Sequence, residues 1–204
     1  MQSVRQDEEA VQEPVFNEVD VQDVMCGRYS LILPDSRKGK QIRQRAEKLG
    51  LIYKEGEIFP GDIVLCIIPA ESKIDLSVMK WGIKNKSFQI NARYESLNDK
   101  PSYREFKDRR CAVVSNGFYE WDKQKNKYFV HSKDELMYLG CIFNQNNELL
   151  VLTMASEGEF AKIHDRTPII MDQSEMLSFI HNQEAFISKK ELSFEQEEEE
   201  LKLF

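Results

Sequence analysis

The sequence predicts a single α+β domain, built mostly of short strands that form a bent or barrel-like mixed sheet with a few flanking helices. Three observations carry this prediction. Short runs of β-branched and aromatic residues recur along the chain, separated by Gly, Pro, Asn and Asp turns. Few stretches have helical spacing, and no internal repeat is present. A length of 204 residues suffices for one well-filled core and is short for two.

Taken in order, residues 1–24 alternate acids with Val and Gln, have no sustained period, and read as a disordered extension. The domain proper, 25–190, opens with a β-rich alternating strand at 25–33, stopped by Pro34-Asp35-Ser36. Helical spacing over 42–51 ends at Gly50. After Pro60-Gly61, 63–68 is a dense β-branched run and reads as a buried strand, followed by strands at 76–83 and 87–91. Residues 96–107 read as a helix, with Asn98 as cap and Pro101 in its first turn. Strands are expected at 111–114, 117–121, 127–131, 137–143 and 149–155, with a polar turn at 144–147. A helical turn at 157–163, a short strand at 169–171 and a helix at 173–180 complete the domain, and 191–204 is an acidic tail.

Charge is distributed unevenly. The net charge is −7, but the first 24 residues hold seven acids against Arg5, and 191–204 hold six acids against Lys202. That leaves 22 acids and 26 bases in 25–190, so the body is mildly basic and compatible with a nucleic-acid partner. No apolar run approaches the roughly 20 residues of a membrane span. The acidic N-terminus resembles neither a secretory signal nor a transit peptide. Cys26, Cys66, Cys111 and Cys141 are widely spaced, without a Cys-x-x-Cys pair or a zinc-finger histidine. The expectation is a cytoplasmic monomer with reduced thiols, no metal and no cofactor.

Four stretches concentrate reactive groups: Cys26-Gly27-Arg28, Asn91-Ala92-Arg93-Tyr94-Glu95, Gly117-Phe118-Tyr119-Glu120-Trp121 and His164-Asp165-Arg166-Thr167-Pro168. They supply a nucleophile, an amide, a carboxylate and an imidazole, a sufficient set for covalent carbonyl chemistry. Each has a plainer alternative. Cys26 could be core, Glu120 the solvent-facing member of an alternating strand, His164 a helix-terminal cap and Asn91 a turn closer. His131 and His181 lack such company and read as structural or exposed.

Met-Cys-Gly-Arg, Asn-Ala-Arg-x-Glu, Gly-Phe-Tyr-Glu-Trp and His-x-Arg-x-Pro, in that order, resemble the SRAP domain, named for SOS-response-associated peptidase. Pro60, Trp81-Gly82, Pro101-Ser102-Tyr103-Arg104, Arg109-Arg110-Cys111, Lys127-Tyr128 and Gly140 add to the likeness, which runs from Met25 to about Ile170. The resemblance implies a DNA-damage protein that crosslinks itself to abasic sites in single-stranded DNA. Cys26, as the first residue after loss of Met25, would be the nucleophile through its amine and thiol. Asn91 would position the Cys and the sugar, Glu120 would assist ring opening and proton transfer, and His164 would act as general acid/base. Arg28 and Arg93 would hold phosphates, and Arg166 joins them among the DNA-binding residues. Trp81 and Trp121 are candidate stacking platforms, with core packing as the alternative for each.

The chemistry is coherent. An α-amine titrates near ~8 and a thiol near ~8.5, and neighbouring Arg and protonated His are expected to raise the thiolate fraction. The amine forms a Schiff base with the ring-opened aldehyde, and the thiol closes a thiazolidine. Three places depart from the family pattern without removing a reactive group: Lys84-Asn85-Lys86 after Ile83, Ser115-Asn116 before the Gly117 strand, and Thr167 in place of Met. Two other functions compete with the DNA reading: a Cys-dependent peptidase or autopeptidase acting on protein, and a non-catalytic single-stranded DNA-binding module.

Cys26 can offer an amine only in a chain that starts there. Residues 1–25 are then either a self-removed pro-segment or, as favoured, the result of start-site choice or cloning. At the other end, Glu200-Leu201-Lys202-Leu203-Phe204 resembles the Gln-Leu-x-Leu-Phe peptide by which bacterial replication proteins dock on the sliding clamp. Leu201, Leu203 and Phe204 would be the apolar anchors; the alternative is a tail end that packs on its own domain.

Overall fold

The structure, a computed structural model, describes residues 26–71, 73–183 and 191–197. The expectations for the extension at 1–24 and for the docking peptide at 200–204 fall outside these residues. In chain order the elements are β1 (Arg28–Leu31), α1 (Arg37–Lys48), β2 (Gly56–Ile58), β3 (Ile63–Ala70), β4 (Lys73–Trp81), β5 (Ile83–Lys84), β6 (Phe88–Gln89), β7 (Asn91–Arg93), β8 (Arg110–Ser115), β9 (Gly117–Trp121), β10 (Lys127–Ser132), β11 (Met137–Phe143), β12 (Glu148–Ala155), β13 (Arg166–Pro168), β14 (Ile170–Met171), α2 (Gln173–Ile180) and β15 (Leu192–Gln196). No described helix is long and apolar enough to cross a membrane.

The barrel expected from the many short strands is real. β12 pairs with β4 on one side and β11 on the other, and β4–β3–β8–β11 completes the ring. These pairings are antiparallel except β12 with β4. Closure removes free edges from the five ring strands, as their dense apolar sequences require. One face of the ring carries Cys66, Cys111, Val113, Leu139, Cys141 and Val151, and Leu65, Leu150 and Leu152 are buried on the opposite face. A second, antiparallel sheet, ordered β15-β10-β9-β1-β2, lies beside the barrel.

The two helices are set by their caps. The Ser36 side chain accepts from Gly39 N–H at the start of α1. Gly39 is also required sterically, because a Cβ there would sit 2.0 Å from the Pro34 carbonyl oxygen. The helix therefore begins at Arg37 rather than near residue 42, since its Lys- and Arg-rich first turn carries no apolar stripe to announce it. α2 matches its expected span and starts with a reciprocal capping box between Asp172 and Glu175.

Two expectations are corrected. Residues 96–107 do not form an α-helix but two 3-10 turns, Tyr94–Ser96 and Pro101–Tyr103, joined by turns. Pro101 disfavours helical backbone at Lys100, which has ψ 115, and only Leu97 and Tyr103 are buried in the stretch, too far apart for a helical face. The acidic segment from 191 is not wholly a tail. Leu192–Gln196 adds an edge strand to β10, with Leu192 opposite Ser132 and Gln196 opposite Tyr128. The strand is short and flanked by Glu191 and Glu197, features that make an edge resist further pairing.

Candidate active site

β9 is the wall of the site. Along Gly117–Trp121 the backbone alternates, so that Phe118 and Glu120 face inward and Tyr119 and Trp121 face outward. Gly117 permits this strand to lie under β10, because a Cβ would meet the Phe129 ring at 2.2 Å. Glu120 is consequently only 3% exposed, the opposite of a solvent-facing strand residue. Ser115 and Asn116, the departures from the family pattern, fasten β9 to β1. Ser115 Oγ accepts from Gly117 N–H at 3.0 Å and lies within hydrogen-bond reach of the Ser30 and Gly117 carbonyls. Asn116 Oδ1 accepts from Ile32 N–H at 2.8 Å.

That register brings Arg28 opposite Tyr119 and places Cys26 at the mouth of β1. Cys26 has φ 39, a left-handed conformation uncommon outside Gly and Asn, and it turns the Cys26 nitrogen inward. The nitrogen donates to Glu120 Oε1 at 2.6 Å, a buried bond across 94 residues of sequence. Burial raises the Glu120 carboxyl to about 7. The positive potential of His164 and the N–H groups of Cys26 and Trp121 oppose this rise, and Asp165 adds to it. Near neutral pH the group is therefore divided between acid and base forms. The Cys26 thiol behaves differently from expectation: burial, then the charge of Glu120 and of Cys141, push its pKa well above the ordinary value. The thiol is held neutral, because it is only 1% exposed and Glu120 beside it opposes a second negative charge.

His164 sits just before β13, in reach of Glu120 electrostatically and partly exposed. Its Nδ1 accepts from Arg166 N–H at 3.1 Å and is 3.2 Å from the Arg166 carbonyl. Asn91 opens β7 and is aligned with Val151 of β12, so the strand that carries it belongs to the barrel. Arg166, expected at DNA, spends its guanidinium within the protein. It forms a bidentate pair with Glu95 at 2.8 and 2.9 Å and bonds the Thr153 carbonyl at 2.7 Å, and its side chain is 12% exposed.

The remaining candidates divide. Arg28 lies between the Phe59 ring (4.5 Å) and the Trp121 ring (5.0 Å) and pairs with Glu57 at 3.1 Å. Lys127, 3.3 Å from the same Glu57, lies over Tyr119. Arg93 is exposed. Trp81 is not a stacking platform: it is fully buried, its Nε1 donates to the Ile90 carbonyl at 3.0 Å, and its ring packs on Tyr29. Sequence reasoning did not single out Phe59, Glu57 or Lys127 for this surface, since no spacing connects them. Glu95 lay within a quoted motif, yet nothing in the sequence named its partner. Among the described residues no cluster of His, Cys, Asp and Glu could hold a metal ion.

Barrel, second sheet and inward-facing Cys26–Glu120 pair together define a single-domain α+β protein with a buried cysteine beside a buried carboxyl. The profile of the SOS response associated peptidase (SRAP) family matches residues 25–204, and the chain belongs to that family. Among relatives, the abasic site processing protein YoqW of Bacillus subtilis is 27% identical over 176 residues, 74% of this chain and 78% of the relative. The abasic site processing protein YedK of Escherichia coli is 23% identical over 199 residues, 83% of this chain and 84% of the relative. A protein of Bordetella bronchiseptica superposes with a TM-score of 0.68 at 13% identity, covering 85% of this chain and all of that one. A protein of Bacteroides thetaiotaomicron gives 0.60 at 18%, covering 76% and 81%.

Proposed function

We propose that the chain, when it begins at Cys26, processes abasic sites in single-stranded DNA by covalent capture. The observation that carries this reading is the 2.6 Å contact between the Cys26 nitrogen and the Glu120 carboxyl. In a chain starting at Cys26 that nitrogen is an amine, and Glu120 lies within hydrogen-bond distance to take its proton. The amine attacks the aldehyde of the opened sugar to form a carbinolamine. A proton from His164 or from Glu120 lets the hydroxyl leave as water, giving the imine. The neutral thiol then adds across C=N: the C–S bond forms, and the thiol proton passes to nitrogen through Glu120. Burial of the thiol favours this order, since the amine rather than a thiolate is the group set up to attack first.

Trp121 and Phe59 offer aromatic surface on the outer side of β9 for unpaired bases, and phosphates would compete with Glu57 and Glu197 for Arg28 and Lys127. The test is a denaturing gel with abasic and intact oligonucleotides, using the chain expressed from Met25 and the full 204-residue chain, each with its intact mass measured. A denaturation-resistant band with abasic DNA from the species beginning at Cys26 supports capture. Equal bands from a species that retains residues 1–25 sink it. The acidic tail's Leu201, Leu203 and Phe204 are proposed to dock on a sliding clamp, and a pull-down with 200–204 deleted tests this.

A further inference from the structure

Capture assigns no task to Glu95, although Glu95 makes the most extensive side-chain ion pair of the site. It stands in the 3-10 turn directly after β7, the strand that carries Asn91. Its Oε1 accepts from Ala155 N–H at 3.2 Å, at the end of β12, and from Arg166 at the start of β13. Ala155 and Arg166 are themselves register partners, so Glu95 ties together the two backbones where they part. The tie is strong for its exposure. Glu95 is half-exposed, yet the paired guanidinium holds its carboxyl down at about 2.

The consequence reaches His164 through Arg166. The Arg166 backbone addresses His164 Nδ1, by its N–H at 3.1 Å and its carbonyl at 3.2 Å, and the Asp165 carboxylate lies 3.3 Å from the same atom. A ring whose Nδ1 is committed in this way exchanges protons at Nε2. On the other side, Ser156 N–H donates to the Asp165 carbonyl at 2.9 Å, so residues 164–166 are registered on the end of β12 that Glu95 also holds. We propose that Glu95 is a positioning residue: by clamping Arg166 to the end of β12 it sets the ring orientation and tautomer of His164 for proton transfer beside Glu120. The inference rests on the capture reading for its functional consequence, while its geometric content stands apart from it. It also gives the Asn-Ala-Arg-x-Glu and His-x-Arg-x-Pro stretches a shared purpose, since the last residue of one holds the third residue of the other.

The test has two arms. In the first, 15N-detected ring correlations of His164 are recorded for the full chain and for Glu95→Gln, with His131 and His181 as internal references. The expected result is one dominant ring tautomer that becomes a tautomer mixture in the variant. Unmoved His164 signals overturn the proposal. In the second, single-turnover capture of abasic single-stranded DNA is measured for the chain expressed from Met25. Glu95→Gln is expected to slow capture about 10-fold with unchanged affinity for intact single-stranded DNA, and to add nothing when His164 is already Ala. Arg166→Lys, which keeps the charge but loses the bidentate geometry, is expected to show the same lack of additivity. Equal losses in the presence and absence of His164 overturn the proposal. If the unmodified chain captures no abasic DNA, the functional reading fails while the ring correlations still decide the role of Glu95.

Discussion

The Cys26 nitrogen and Glu120 Oε1 are 2.6 Å apart in a buried contact between the mouth of β1 and the inward face of β9. A one-residue slip of β9 would turn Glu120 to the outer face and break the pair. The site thus depends on the β1–β9 pairing that Ser115 and Asn116 secure.

Glu120 should make stability depend on pH with a definite sign. Its folded pKa, about 7, lies above the ordinary 4.5, so its contribution is fully present below pH 4.5 and is lost as pH rises through 7. The loss is on the order of 3 kcal/mol. Urea midpoints at pH 5 and pH 8 should differ accordingly, and Glu120→Gln should flatten that difference. An unchanged slope in the variant would mean that Glu120 is not the group responsible.

Removing the thiol alone should separate the two covalent steps. In a chain beginning at residue 26, Cys26→Ser retains the amine beside Glu120. Borohydride should trap an imine with abasic DNA, whereas without reductant the denaturation-resistant product should disappear. A stable unreduced product from the Ser variant would rule out ring closure by sulfur.

The two tryptophans should behave oppositely. Trp121→Ala should weaken non-covalent binding of single-stranded DNA roughly 10-fold, as loss of about 1–3 kcal/mol of stacking predicts, with little change in melting temperature. Trp81→Ala empties a fully buried site under Tyr29 and should cost about 3–5 kcal/mol of stability. Fluorescence titration and denaturant unfolding of both variants check this.

Gly117→Ala should act on both fold and site. The added Cβ meets the Phe129 ring at 2.2 Å and the Val130 carbonyl oxygen at 2.9 Å, so β9 must move away from β10. Destabilisation of about 1–3 kcal/mol is expected, together with slower capture because Glu120 rides on the same strand. Full capture by a destabilised variant would show that the Cys26–Glu120 contact tolerates strand displacement.

Local order was legible where residue type acts over short range. β9, β11 and α2 appear with the expected bounds because their alternation, apolar runs and the Asp172–Glu175 capping box need no distant partner. The stretch 96–107 was misread because a single Pro outweighs a weak apolar pattern. β2 and β15 were not foreseen because their short, polar sequences become strands only against β1 and β10.

By itself the sequence determined the supply of chemistry: a Cys, a carboxyl, an imidazole and an amide, each within a short distinctive stretch, and a barrel of short strands to hold them. Only the tertiary structure decided how those groups are charged and paired. Burial lifts Glu120 to about 7 and keeps the Cys26 thiol neutral, Trp81 is core and Trp121 is surface, and Arg166 answers to Glu95. Desolvation and ion pairing depend on which atoms surround a group in space, and across separations such as the 94 residues between Cys26 and Glu120 the linear order of the chain carries no record of them.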